Sequence, residues 1–346
     1  MKQLTRIKKW IKKHPRIYLM ISFFIHKETR VQWILRRIRF FPQLHVNFLI
    51  KHSVMYGYGT LFPRAVEVDL SDPQLFNEKT LWLKYYKYNR SELVVKCYDK
   101  YTVREYVEES GCGEILNELY GVWDDVDDIP WESLPDEYII KKTNGCGNHI
   151  FKIKGSSFDK KNAIAILKQS DFFEKIRFLS SADLFATRSK QKYICERLLK
   201  PEEGEERVAD YKFFCFNGVP KYLNYIWNRS MTDKNSYRET FKEIDLQNPT
   251  VLTDRSGYIL HATDESIVLP KCFDKMIQVC QKLSKPFPFV RVDLYSQGDK
   301  VVFGELTFTP EGGHMLDHVF KEDNNINLEG LEVLGSQIKL VDGGDN

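Results

Sequence analysis

The chain has 346 residues, 42% of them hydrophobic and 29% charged, and a net charge of +3. That length supports a real core and more than one domain, and the composition excludes a disordered or fibrous protein. The charge is uneven: residues 1–40 hold twelve Lys/Arg and one acid (Glu28), leaving 39 Lys/Arg against 47 acids in the rest. A mildly acidic body argues against nucleic acid as a partner. The seven cysteines are scattered, with no C-x₂-C pair and no Cys/His zinc spacing, which fits free thiols in a reducing cytosol.

Residues 1–60 form a basic, aromatic arm. Its apolar run Ile17–Ile25 has nine residues, too short for a spanning helix of about 20 residues. No small-residue cleavage site follows it. A second stretch, Trp33–Phe41, again interleaves Arg with Trp, Ile and Phe. This pattern suits helices lying on an anionic membrane surface, or a helical pair packed on the body with its basic face in water. The first reading places the chain in the cytoplasm, peripheral on the inner face of the membrane.

Residues 61–130 read as a helical region. Ser71 or Asp72 with Pro73 predicts a helix start, and residues 91–120 predict a further helix. An acidic loop, Asp124–Asp128, follows. Residues 131–205 form a glycine-hairpin lobe: strands at 137–142 and 148–154 around Thr143-Asn-Gly-Cys-Gly147, a helix at 159–176, and a strand at 193–199. Residues 206–330 form a second lobe. Strands at 211–216 and 220–227 are joined by Asn217-Gly218, a tight hairpin turn. An amphipathic helix covers 264–284. Residues 331–346 are a tail.

The strongest functional signal closes the second lobe. Phe289-Val-Arg-Val-Asp-Leu-Tyr295 and Val301-Val-Phe-Gly-Glu-Leu-Thr-Phe308 both alternate with period 2, and Gln297-Gly-Asp299 between them is turn chemistry. Alternation puts Arg291, Asp293 and Tyr295 on one face, and Phe303, Glu305 and Thr307 on one face of the next strand. With a matching register, Asp293 and Glu305 sit close. Two such charges roughly 4 Å apart repel by about 4 kcal/mol at an effective dielectric near 20, so a cation must neutralise them. Oxygen ligands suit Mg²⁺, which bridges carboxylates to nucleotide phosphates. Read in isolation, the segment is more readily an edge hairpin with a polar face in water; the rest of the chain shifts the balance.

The glycine loop lies between strands, which excludes a P-loop or a Rossmann turn. Such a hairpin either covers phosphates with its backbone N–H groups or is an ordinary turn. Lys141 stands just before it. Glu196 is a lone acid in an apolar strand, and Asp210 and Lys212 share one face of the next; solvent-facing positions would explain each of them singly.

In order, Lys100, Lys141, the glycine hairpin, Glu196, Lys212, Arg291, Asp293 and Glu305 form a series that resembles the ATP-grasp superfamily. Within it the chain is similar to the TupA-like (teichuronopeptide-biosynthesis) group. The phrases that carry the likeness are Phe76-Asn-Glu-Lys79, Asp99–Val107, Asp210–Gly218, Arg291–Tyr295 and Phe303–Pro310. The resemblance covers about residues 95–315. It implies an α+β ATP-grasp fold, with two lobes holding nucleotide between antiparallel sheets, and ATP and Mg²⁺ as cofactors. It assigns Lys100 and Lys141 to the α/β-phosphates. The backbone of Gly145, Cys146 and Gly147 would cover the triphosphate, and Glu196 and Leu198 would line the adenosine pocket. Lys212 would approach the γ-phosphate, Arg291 would stabilise the acyl phosphate, and Asp293 and Glu305 would hold the metal. Thr307 stands where the superfamily often has Asn.

The implied function is an ATP-dependent carboxylate–amine ligase in cell-surface polysaccharide synthesis (capsule, O-antigen or teichuronopeptide-like). Its partners would be a carboxylate-bearing saccharide or amino acid and an amine. Glu311 or His314, in the loop after the metal strand, would accept the amine proton if either lies within hydrogen-bond reach; otherwise the loop is simply a glycine-rich connector. The rivals are a glycosyltransferase using Asp125-Val-Asp127 as a D-x-D motif, a kinase of a sugar hydroxyl with the same nucleotide site, and a membrane-attached binding subunit with no activity.

Overall fold

The computed structural model describes residues 68–145, 149–168, 182–231, 236–245 and 269–313, with shorter stretches within 34–51, at 247, 252–253, 321–322 and 325–326, and at 328–340. The expectations for residues 1–33, including the apolar run Ile17–Ile25, lie outside the described residues. A helix α1 (Pro42–Lys51) lies within the arm, and Leu44 in it and Phe40 and Phe41 just before it are exposed. No helix among the described residues is long and apolar enough to cross a membrane.

The next helix, α2 (Phe76–Tyr86), starts later than Pro73. The Glu78 carboxylate reaches back and accepts from the Gln74 and Leu75 backbone N–H groups at 2.8 and 2.9 Å. That fixes the start at Phe76, because those N–H groups have no partner within the helix. Ser71 is instead held in a turn by Asp69. The single helix expected at 91–120 is two short ones, α3 (Glu92–Tyr98) and α4 (Val103–Glu109), followed by a strand. Ser91 caps the first, and Asp99 breaks the pair by accepting from the Tyr101 and Thr102 N–H groups.

A four-stranded antiparallel sheet, sheet A, has the order β1 (Leu119–Trp123), β4 (Tyr193–Glu196), β2 (Tyr138–Lys142), β3 (Ile150–Lys152). One strand thus comes from ahead of residue 131, and β4 ends at Glu196 rather than at 199. Tyr138, Ile140, Ile150, Tyr193 and Cys195 form its apolar face. They pack against Ala163 and Leu167 of a helical run at 160–168, and against Val126, Ile129 and Trp131. Residues 169–176 of the expected helix lie outside the described residues.

A six-stranded sheet, sheet B, has the order β10 (Lys300–Thr307), β9 (Phe289–Gln297), β5 (Asp210–Phe216), β6 (Val219–Trp227), β7 (Arg238–Ile244), β8 (Leu252–Thr253). Its last two strands were not foreseen. Asn217 and Gly218 turn β5 into β6 with φ of 50° and 83°, the left-handed pair that a two-residue hairpin requires. Helix α5 (Phe273–Ser284) lies on the back of this sheet. It begins at Phe273, after a turn in which the Phe273 N–H donates to Pro270; residues 264–268 are outside the described set. Its Phe273, Met276, Ile277, Cys280 and Leu283 recur at helical spacing and are buried with Phe213, Val292 and Leu294. On the front face, Phe76 of α2 packs against Phe214, Phe216 and Phe289. Tyr222 and Phe241 extend this apolar patch beside Phe214, and the polar residues of the front face lie next to it. The link from β4 to β5 is pinned where Gln297 exchanges two hydrogen bonds with the Lys200 backbone.

Candidate active site

The polar face of sheet B is built by its register. Lys212 of β5 lies opposite Asp293 of β9, and Asp293 lies opposite Glu305 of β10. Residues directly opposite share a face, so three charged side chains line up across three neighbouring strands. The β9–β10 hairpin reaches this alignment through a bulge. Phe303 pairs with Leu294, but Glu305 pairs with Asp293, so Gly304 is an extra residue. Strict alternation, which groups Phe303 with Glu305 and Thr307, is therefore corrected. Phe303 is buried with the apolar core, and Glu305 and Thr307 turn to the polar face. A Cβ on Gly304 would stand 2.7 Å from the Asp293 carbonyl oxygen and 3.0 Å from the Tyr295 ring. The bulge closes this tightly only around glycine.

Asp293 is 2% exposed. Arg291 grips it with two parallel hydrogen bonds, Nε to Oδ1 and Nη2 to Oδ2, both 2.7 Å. Lys212 adds a third at 2.9 Å. Arg291 Nη2 also donates to Thr307 Oγ1 at 3.1 Å, and Thr307 donates to Glu305 Oε1 at 3.2 Å. Lys100 Nζ stands 3.5 Å from Glu305 Oε2 and donates to the Gly145 carbonyl at 2.8 Å. It thereby ties the glycine hairpin of sheet A to the carboxylates of sheet B. The repulsion between Asp293 and Glu305 is thus offset by cations of the chain itself, Arg291, Lys212 and Lys100.

Burial alone would raise the Glu305 pKa, but Lys100, Lys212 and Arg291 outweigh it and hold it at about 2. A depressed carboxyl contributes stability above its unfolded value of 4.5, lost as pH falls toward 2. The side chain is 39% exposed, so solvent screening keeps that contribution small. Glu305→Gln is expected to flatten the acid limb of a Tm-versus-pH curve between pH 4.5 and 2. An acid limb unchanged by the substitution would assign that loss of stability to other groups.

Sheet A supplies the facing wall. Lys141 lies on the opposite face from Tyr138 and Ile140 and donates to Glu196 at 2.8 Å. Arg104 of α4 also reaches Glu196, at 3.3 Å, and anchors on the Asn117 carbonyl at 2.9 Å. Leu198, just past β4, is half-buried. His149, beside the loop, has a buried Nδ1 with no partner among the described residues. Burial, then Lys100 and Lys141, push its pKa down to about 3, so the imidazole is neutral. Of the remaining expected site residues, Gly145 is in place, while Cys146, Gly147 and His314 lie outside the described residues. The backbone of Glu311 forms part of a short turn, Pro310–Gly313. Arg104, His149 and Arg229, which pairs with Asp210 at 2.8 Å, were not anticipated. Of these, only Arg104 falls within a phrase that carried the family likeness.

That turn is fastened from below. Lys84 of α2, its side chain fully buried, donates to the Gly312 carbonyl at 2.7 Å and pairs with Asp183 at 2.9 Å. Thr309 donates to the same carboxylate at 3.4 Å. Burial lowers the Lys84 pKa and Asp183 raises it, with a net decrease. Removing one member of a buried pair typically costs about 3–5 kcal/mol. Lys84→Met is expected to lower stability by that order in urea unfolding, and Lys84→Met with Asp183→Leu to recover part of it. A single variant as stable as the parent would show that the pair does not hold the loop.

The D-x-D candidates are placed elsewhere. Asp125 accepts from the Asp127 N–H, Asp127 pairs with Lys168, and Asp124 with Lys190 and Lys192, all at the surface. The short strand β1 precedes them. Among the described residues no group of three or more His, Cys, Asp or Glu is placed to hold a metal. The residues present do fit Mg²⁺ in kind: two carboxylates and a hydroxyl, all hard oxygen donors, with the remaining positions left for phosphate oxygens.

Solved structures with a similar chain path include D-alanine–D-alanine ligase from Bacillus anthracis, with 13% identity and a TM-score of 0.38, covering 62% of this chain and 57% of that one. The Helicobacter pylori ligase has 15% identity, a TM-score of 0.41 and coverage of 76% and 69%. D-cycloserine synthetase DcsG has 13% identity, a TM-score of 0.39 and coverage of 86% and 94%. The chain thus spans little more than half the length of the B. anthracis ligase. No curated protein matches the sequence. A profile of the TupA-like ATP-grasp family matches residues 78–328, and the carboxylates, lysines and glycine hairpin described above all fall within it: this chain belongs to the TupA-like ATP-grasp family.

Proposed function

We propose that the chain is an ATP- and Mg²⁺-dependent carboxylate–amine ligase that works through an acyl phosphate. The observation that carries this reading is the row Lys212–Asp293–Glu305 across three strands, facing Lys100 and Lys141 from the hairpin wall. With Arg291, which grips Asp293, four cations converge where a triphosphate and a second anion would meet. Mg²⁺, held by Asp293 and Glu305 with Thr307 adjacent, would offset phosphate charge when bound. Lys100 and Lys141 would bind the α/β-phosphates, and the backbone around Gly145 would cover them. Glu196 and Leu198 would line the adenosine pocket, with Arg104 fixing the Glu196 carboxylate.

In the reaction a substrate carboxylate oxygen attacks the γ-phosphorus and the bond to the β-phosphate bridge breaks, releasing ADP. Lys212 and Arg291 stabilise the transferring charge, preorganised by their shared contact with Asp293. An amine then attacks the acyl carbon, the carbon–oxygen bond to phosphate breaks, and phosphate leaves. The amine proton passes to a base. His149, with its pKa near 3, cannot donate a proton at neutral pH.

The acceptor we favour is a carboxylate on a cell-surface saccharide, in keeping with the group's teichuronopeptide resemblance. Twelve Lys/Arg in residues 1–40 and the exposed Phe40, Phe41 and Leu44 support docking on an anionic membrane. Deleting residues 1–40 is expected to weaken sedimentation with anionic vesicles while nucleotide binding persists; unchanged sedimentation would remove this reading. Trapping tests the chemistry. With MgATP, hydroxylamine and a panel of uronic and amino acids, a ligase yields a hydroxamate, ADP and phosphate. A stable phosphoester would make the enzyme a kinase instead.

A further inference from the structure

We propose that the front face of sheet B continues past Lys212 into a subsite for the ammonium group of the amine substrate, built by Asn224 and Glu239 and bounded by the Asp210–Arg229 pair. This rests on the ligase reading above and names the part of the site that takes the second substrate.

Register places these residues. Asn224 of β6 lies opposite Lys212, so it shares the face of Asp293 and Glu305. Phe241 of β7 lies opposite Asn224, and Glu239, two residues before it, is on the same face. Strands are about 4.8 Å apart, so Asn224 is one strand step from Lys212 and two from Asp293. Asp210 is on this face two residues from Lys212, and is 4% exposed. It accepts from Arg229 at 2.8 Å and stands 3.8 Å from Lys212. That leaves it balanced, and it closes one side of the subsite.

Asn224 and Glu239 are not balanced. Asn224 is 5% exposed. Its Nδ2 donates to Glu239 Oε1 at 2.8 Å. A carboxylate only accepts, so this bond fixes which way the amide points. The amide oxygen is then turned away from Glu239, buried, with no partner among the described residues. A buried carbonyl oxygen without a donor is costly and needs an explanation. Glu239 has no cationic partner among the described residues. The pair therefore offers a neutral acceptor and a negative charge, and lacks a donor.

The complementary group has several N–H donors and a positive charge. A primary ammonium supplies both. A phosphate or carboxylate would be repelled by Glu239. A hydroxyl would satisfy the amide oxygen but leave the charge. Guanidinium also carries charge, but its flat fork suits two parallel acceptors of one carboxylate, and here the acceptors belong to two residues on neighbouring strands. The location suits the chemistry, since the amine must arrive beside Lys212, where the acyl phosphate forms; there the ammonium passes one proton to the Glu239 carboxylate, which frees the lone pair that attacks the acyl carbon.

The test is thermal stability of the full chain with Mg-AMPPNP, then with Mg-AMPPNP plus free amino acids and amino sugars, each beside its N-acetyl counterpart. The wild type should gain stability with nucleotide and more with at least one free amine, and none from the acetylated form. Asn224→Leu and Glu239→Gln should keep the nucleotide shift and lose at least tenfold in amine affinity. The proposal is overturned if the amine shift survives both substitutions, if acetylated forms shift equally, or if no amine shifts a wild type that responds to nucleotide. A wild type that ignores Mg-AMPPNP overturns the ligase reading itself, and this proposal with it. Glu239→Gln, at a half-exposed residue, keeps the test open should Asn224→Leu fail to fold.

Discussion

Asp293→Asn and Glu305→Gln should each lower turnover by at least about 100-fold, the scale of removing one preorganised electrostatic group. The two losses differ in cause. Asp293 accepts three hydrogen bonds from Arg291 and Lys212. Replacing one of its oxygens with an amide turns a donor toward a donor, so the variant should also lose stability. Glu305 is partly exposed and accepts from Thr307. Its glutamine variant should melt near the parent at neutral pH and fail in turnover alone. The check is kcat at saturating MgATP beside a thermal melt. Full activity in either variant would remove the carboxylates from the chemistry.

The second large effect belongs to a residue with no side chain. Gly304→Ala should reduce turnover by a similar factor without touching a charged group. The new Cβ meets the Asp293 carbonyl oxygen at 2.7 Å, closer than such contacts occur, and that oxygen is backbone, so the strand must move. Overpacking of this kind costs about 1–3 kcal/mol. The functional loss should exceed what that instability explains, because the bulge decides which face Glu305 occupies. Measured below the melting transition, kcat should fall and thermal stability drop only modestly. A fully active, equally stable Gly304→Ala would show that Glu305 reaches the polar face without the bulge.

Gly304 also marks the boundary of what the sequence discloses. Alternation located both strands, and Asn217-Gly218 announced its hairpin through residues that accept positive φ. Lys212, Asp293 and Glu305 were legible because strand residues of like parity and a shared motif order point to one face. The bulge was not, since alternation assumes no extra residue; the isolated glycine inside the strand was its one visible sign. The partners of the carboxylates were also hidden. Lys100 is 205 residues from Glu305 in the chain, and only folding shows that cationic side chains already neutralise the pair. Lys84 and Asp183 had no local signature, because a lysine in a helix normally reaches solvent. The start of α2 was misplaced because Pro73 outweighed Glu78, whose carboxylate does the capping.

The most direct test of the account is a calorimetric titration of the purified chain with ATP, with and without Mg²⁺, repeated on Glu305→Gln. The account predicts binding that strengthens with Mg²⁺ and loses that dependence in the variant. Binding of a nucleotide sugar with Mn²⁺ in place of ATP, unchanged by Glu305→Gln and abolished by Asp125→Asn, would contradict it.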